Sequence, residues 1–180
     1  MTEDLFDESS IRASFVAVAD RLEELDAPAG LLIVVGGSFM ALHGLRDSTH
    51  DIDTVNRISA SIRAAADEVA RARGFEPDWL NDRAAGFAPF GLDEDECELL
   101  YEYRRLRVLG PPPDYVFLMK LYAARGGPDH DDMVALWPLC SFASADDAAT
   151  RFAAAYPHAP SDPHLAEYIT EIEGEAAVSD

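Results

Sequence analysis

LLIVVGGSFMALHGLRDSTHDIDTV, residues 31–55, is the stretch on which the reading of the whole chain turns. Its five leading apolar residues, 31–35, predict a buried strand, because a strand covered on both faces shows no polar alternation. Gly36-Gly37 breaks that strand, and residues 38–45 predict a short helix starting at the glycines. Residues 52–55 predict a second strand. Asp51 and Asp53 stand two apart there, so their side chains share one face. Two carboxylates on one face repel unless a cation lies between them. Such pairs suit Mg²⁺, which takes one or two carboxylates together with substrate phosphates. A strand that ends in Gly-Gly-Ser and opens a helix offers backbone N–H groups at a positive helix end, and glycine lets a phosphate come close. Cradle and acidic pair together describe a site for a nucleoside triphosphate with its Mg²⁺.

The rest of the chain must be able to house that chemistry. Its 180 residues are enough for one domain with a proper core. The unusual feature is charge: 34 Asp and Glu against 14 Lys and Arg leave a formal net charge of -20. Such acidity argues against an unaided grip on nucleic acid, which needs a basic surface. Local basic clusters remain at Arg71 and Arg73 and at Arg104, Arg105 and Arg107. Cys97 and Cys140 have neither metal nor redox spacing and fit a reducing compartment. The acidic N-terminus MTEDLFDESS lacks the basic start of a signal peptide, and no apolar run is long enough to cross a bilayer. A soluble cytoplasmic protein with no membrane partner is expected.

Outward from the central stretch, Ser9 or Ser10 is placed to cap a first helix bearing Ile11, Phe15, Val18, Leu22 and Leu25. Residues 59–73 predict a helix closed by Gly74. Residues 75–98 carry only a weak signal of loops or short strands. Residues 98–103 and 106–109 read as paired strands. Pro111-Pro112-Pro113 is a stop, after which Asp114 caps a helix holding Tyr115, Leu118, Met119 and Tyr122, ended near Gly126-Gly127-Pro128. Helices over 131–137, 145–155 and 163–172 follow, the last with Asp162-Pro163 as cap and first-turn proline. The expected class is α/β (α+β): a small mixed sheet flanked by helices, with a helical C-terminal part.

GGSFMALHGLRDSTHDIDTV resembles the signature of the DNA polymerase β-like nucleotidyltransferase superfamily, with twelve residues between Ser38 and Asp51. Together with PPDYVFLMKLYAARGGPDHDDMVAL downstream, it looks like the AbiEii/MenT-type bacterial nucleotidyltransferases, which include toxins of toxin–antitoxin systems. The two halves stand in the right order and cover roughly residues 31–136. The resemblance implies a nucleotidyltransferase core over 1–110, a helical part over 111–173 packed on it, and a flexible acidic tail over 174–180. It implies an enzyme that moves a nucleotidyl group from an NTP such as ATP to a hydroxyl of tRNA or of a protein, with Mg²⁺ or Mn²⁺ as cofactor and a cognate antitoxin as a further partner. The alternative is a catalytically quiet module of the same fold that binds nucleotide or a partner.

Carried over residue by residue, Gly36, Gly37 and Ser38 meet the phosphates, and Asp51 and Asp53 hold the metal. Lys120 reaches the triphosphate, Arg125 is the arginine after the lysine helix, and Asp132 completes the active-site wall. The family's second arginine is replaced by Gly127-Pro128. For a third metal carboxylate, Glu98 and Glu102 are candidates, four apart on one predicted strand face. Beside these stand simpler readings. Lys120, on a mostly apolar helix, must either snorkel or meet an anion. Asp129, His130, Asp131 and Asp132 also suit an acidic helix start. His43 and His50 are expected to be structural or solvent-facing, and Phe87, Phe90, Tyr101 and Tyr103 to be core rather than base-stacking platforms.

Overall fold

The computed structural model describes residues 5–89, 91–123 and 127–179. In the first helix, α1 (Glu8–Glu24), the cap is Asp7 rather than Ser9 or Ser10. Its carboxylate accepts from the Ser10 amide at 2.8 Å, meeting one of the N–H groups left over in a first helical turn. The apolar run becomes β1 (Gly30–Val35), followed by α2 (Gly36–Leu42) and β2 (Ile52–Thr54). The helix α3 (Ala60–Arg73) is capped by Ser59 and closed by Gly74, whose φ of 78° lies in the left-handed region that glycine enters without strain. The weakly patterned stretch holds a two-residue strand, β3 (Leu80–Asn81), and two short 3-10 turns. β4 (Glu98–Tyr103) and β5 (Leu106–Gly110) form the expected antiparallel pair.

These strands form one mixed sheet in the order β3-β2-β1-β5-β4. β1 runs parallel to β5 and antiparallel to β2, and β3 runs parallel to β2. One face carries Leu32, Val34, Ile52, Leu106 and Val108, which join Phe15, Leu22, Ile62 and Val69 of α1 and α3 in a single core. Trp79 is 1% exposed and stacks on Phe6 while its Nε1 donates to Ala66 O. Alternation along the strands puts Ile33, Val35, Asp53 and Asn81 on the opposite face. The strand β2 is short, and Asn56 extends its pairing with side-chain atoms. Asn56 Oδ1 accepts from Ile33 N at 2.7 Å, and Nδ2 donates to Leu31 O at 2.9 Å.

The remaining helices form a second compact unit with residues 87–96, while 97–111 belongs to the sheet unit. The boundary therefore differs from a simple cut at residue 110. Its physical reason is visible in two tyrosines: Tyr156 Oη donates to Phe87 O at 2.9 Å and Tyr115 Oη to Pro89 O at 3.3 Å. The helices are α4 (Pro113–Ala123), α5 (Gly127–Leu136), α6 (Ala145–Ala155) and α7 (Leu165–Ser179). Pro128 lies in the first turn of α5, where the missing N–H costs nothing, so Gly127-Pro128 opens a helix instead of serving only as a stop. Asp114 does not cap its own helix. It accepts from Ser141 N at 2.7 Å, from Ser141 Oγ at 2.6 Å and from Arg151 at 3.0 Å, tying α4 to α6. The final helix continues past residue 172 to Ser179, because Ala176 repeats the buried stripe of Ile169 and Ile172.

Candidate functional site

The acidic pair sits where β1 hands the chain to α2. Asp53 is the cross-strand partner of Val35, the last residue before the glycines. Gly36 has φ of 63°, and a Cβ built on it would stand 3.2 Å from Asp53 Oδ2. Both the backbone turn and the room beside that carboxylate therefore require glycine. Gly37 has a different reason. A Cβ there would run into the Thr49 side chain, with Thr49 Cβ at 3.0 Å and Arg46 Nη1 at 3.5 Å. Thr49 is itself held by a two-bond bridge to Phe6, with Phe6 N to Thr49 O at 2.7 Å and Thr49 N to Phe6 O at 2.9 Å. The segment that leads to the aspartates is thus drawn over the glycine turn and brings Arg46 beside it.

Ser38 is fully buried, and its Oγ donates to Val35 O at 2.9 Å. Its hydroxyl closes the strand-to-helix turn, and with the whole residue withdrawn from solvent the accessible backbone of the turn is that of Gly36 and Gly37. Asp51 and Asp53 are half-buried. Next to them lies a residue that the sequence pattern does not single out. Asn81 is the parallel register partner of Asp53, and its Nδ2 donates to Asp51 Oδ2 at 3.2 Å. A two-residue strand in a weakly patterned loop leaves no sequence signal for such a neighbour.

No protein-family model, curated protein or solved structure matches this chain.

The expected third carboxylate is not completed by Glu98 and Glu102. The β4–β5 register shifts between Leu99 and Tyr101, so Glu98 pairs with Gly110 and Glu102 with Arg107, an odd number of residues apart on β5. The two glutamates consequently point to opposite faces. Glu98 meets His43 Nε2, while His43 Nδ1 lies 2.8 Å from Phe39 O and its ring stacks on Phe39 at 4.0 Å. Glu102 pairs with Arg107 at 3.4 Å. Among the described residues no group of three or more His, Cys, Asp and Glu is arranged to hold a metal ion. The Asp51–Asp53 pair still suits a hard divalent cation that draws its other ligands from phosphates and water.

Lys120 and Asp132 come together in the helical unit. Lys120 Nζ lies 2.6 Å from Asp132 Oδ2 and 3.5 Å from Asp129 Oδ1, with both Lys120 and Asp132 side chains 9% exposed. The lysine neither snorkels nor stands open: it meets anions supplied by α5. His130 lies 3.1 Å from Tyr168 Oη and 3.0 Å from Glu175, joining α5 to α7. Tyr168 is held above the usual phenol range by burial first and by nearby Asp129 second. Arg125 and Phe90 lie outside the described residues. The arginine cluster after β4 is engaged by acidic partners: Arg104 with Asp20 at 3.1 Å, and Arg105 with Glu23 at 2.9 Å and Asp26 at 2.7 Å. It forms the fastening of the β4–β5 hairpin to α1 rather than an open basic patch. Among the described residues no helix is long and apolar enough to cross a membrane.

Proposed function

We propose that the protein is a Mg²⁺- or Mn²⁺-dependent nucleotidyltransferase, moving a nucleotidyl group from an NTP such as ATP to a hydroxyl of tRNA or of a protein. The observation that carries this reading is the placement of Asp53 against the Gly36 turn, with Asp51 two residues before it and bonded to Asn81, the register neighbour of Asp53. In the reaction the acceptor oxygen bonds to the α-phosphorus as its hydroxyl proton passes to water, the bond from the α-phosphorus to the oxygen bridging to the β-phosphate breaks, and pyrophosphate leaves. Asp51 and Asp53 would hold the ion. A bound divalent cation supplies neutralisation of phosphate charge and orientation of the reacting oxygens. The backbone at Gly36 and Gly37 would face the leaving phosphates, and Arg46, close to Gly37, supplies positive charge at that turn. Lys120 and Asp132 are paired with each other within the helical unit. A role as the toxin of a toxin–antitoxin pair, with a cognate antitoxin as partner and the cytoplasm as its location, fits this chemistry. Incubation of the purified chain with each α-labelled NTP, a divalent ion and cell extract tests it. Label should appear on RNA or protein and should fall by more than about 100-fold with Asp53→Asn, as for loss of a metal ligand. Undiminished transfer by a folded Asp53→Asn protein sinks the reading.

A second reading, a quiet module that binds nucleotide or a partner without transfer, is favoured by the amide of Asn81 in place of a carboxylate and by the engagement of Lys120. Nucleotide binding without label on any acceptor would select it.

A further inference from the structure

The third corner of the acidic site is occupied by an amide whose orientation leaves no ambiguity. Asn81 is 4% exposed. Its Oδ1 accepts from Arg83 N at 3.0 Å, which only an oxygen does, so the Nδ2 donors point to Asp51 Oδ2 at 3.2 Å and Asp78 O at 3.3 Å. In the sheet it stands directly beside Asp53. One residue thus touches the first aspartate by hydrogen bond and the second by register. We propose that Asn81 is a positioning residue that holds Asp51 while keeping the anionic oxygen donors of this site to two carboxylates, so that the divalent ion is taken up as a nucleotide–metal complex and not from free solution. The proposal rests on the nucleotidyl-transfer reading of this site.

The physics follows from the donor set. A small divalent ion loses its water reluctantly and asks for about six oxygen ligands. Two carboxylates leave most of that shell unfilled, and the Asn81 amide presents N–H to Asp51, not an oxygen to a cation. Triphosphate oxygens complete the shell when nucleotide arrives. A carboxylate at position 81 would add a third anionic oxygen donor and remove the hydrogen bond that steadies Asp51. Partners that orient a metal-binding carboxylate typically change affinity by about 10–100-fold.

The test uses the full chain, its Asn81→Asp and Asn81→Ser variants, Mn²⁺, and α,β-methylene analogues of the four nucleoside triphosphates. Mn²⁺ binding is followed by electron paramagnetic resonance and analogue binding by calorimetry, with circular dichroism melts to verify folding. Asn81→Asp retains an acceptor for the Arg83 amide, and Asn81→Ser removes the Asp51 contact without adding charge. Without nucleotide, Asn81→Asp should bind Mn²⁺ at least about tenfold more tightly than the wild type, which should bind it weakly. An analogue should bind the wild type only with Mn²⁺ present, and Asn81→Ser should weaken that binding by about tenfold or more. Tight Mn²⁺ binding by the wild type alone, equal to that of Asn81→Asp, overturns the role given to Asn81 and leaves the transferase reading standing. An unchanged Asn81→Ser protein does the same. Failure of every analogue to bind, with or without Mn²⁺, removes the nucleotide reading itself.

Discussion

Lys120 shows how one residue changes meaning when its neighbours are known. Its position on an apolar helix requires it to snorkel or to meet an anion, and the sequence resemblance names a triphosphate as that anion. If so, Lys120→Ala would weaken NTP binding and leave stability nearly unchanged. The geometry instead places Asp132 Oδ2 at 2.6 Å, with both side chains largely withdrawn from water. Removing one member of a buried pair takes from the other charge its close partner, which costs roughly 3–5 kcal/mol. Lys120→Met should therefore lower the unfolding free energy by about that amount in urea titrations, and the double variant Lys120→Met/Asp132→Leu should recover most of it. A stable single variant would instead assign Lys120 a mainly ligand-binding role.

At the scale of elements, the N-terminus of α2 and the segment entering β2 are fitted to each other at Gly37. Adding one methyl group there drives Cβ into Thr49, which is β-branched and tied to Phe6 through both backbone bonds. Gly37→Ala should destabilise the protein by about 1–3 kcal/mol, the usual effect of overpacking. Thr49→Ala in the same chain should restore part of the loss by emptying the contested space. Thermal denaturation of the single and double variants measures the coupling, and strict additivity would show that the clash is relieved elsewhere. The same scale explains the misplaced ends of helices. A proline in a Gly-Gly-Pro run reads equally as a terminator or as a first-turn residue, and the packing of α5 against α4 and α7 decides. The last two turns of α7 carry only small or polar residues besides Val178, which is exposed; Ala176 is 3% exposed, and one small buried residue is too faint a signal to read.

Charge governs the behaviour of the whole molecule. The excess of 34 acids over 14 bases gives -20, and the observed ion pairs are mostly at the surface, where each contributes about 0–1 kcal/mol. Salt weakens those pairs and the general repulsion alike. Twenty unmatched negative charges make repulsion the larger quantity. Raising KCl from about 10 mM to about 1 M, which shortens the screening length from about 30 Å to about 3 Å, should therefore raise the melting temperature. A fall in melting temperature would mean that the paired arginines, Arg105 with Glu23 and Asp26 among them, outweigh the repulsion.

The sequence by itself determined the mixed α/β class, the buried β1, and helices such as α6 and α3 with its closing Gly74. Each of these rests on residues close together in the chain: a period, a cap, a glycine. Only the tertiary structure decided that Asn81 stands beside Asp53, that Thr49 and Arg46 close over Gly37, and that Lys120 faces Asp132. It also decided that a bulge at Leu100 sends Glu98 and Glu102 to opposite faces. All four depend on how separate segments meet, and for Asn81 and the two glutamates the reason is strand register. Strand register, and the neighbours that register creates, are set by pairing between distant segments, and a shift of one residue reverses every side chain beyond it.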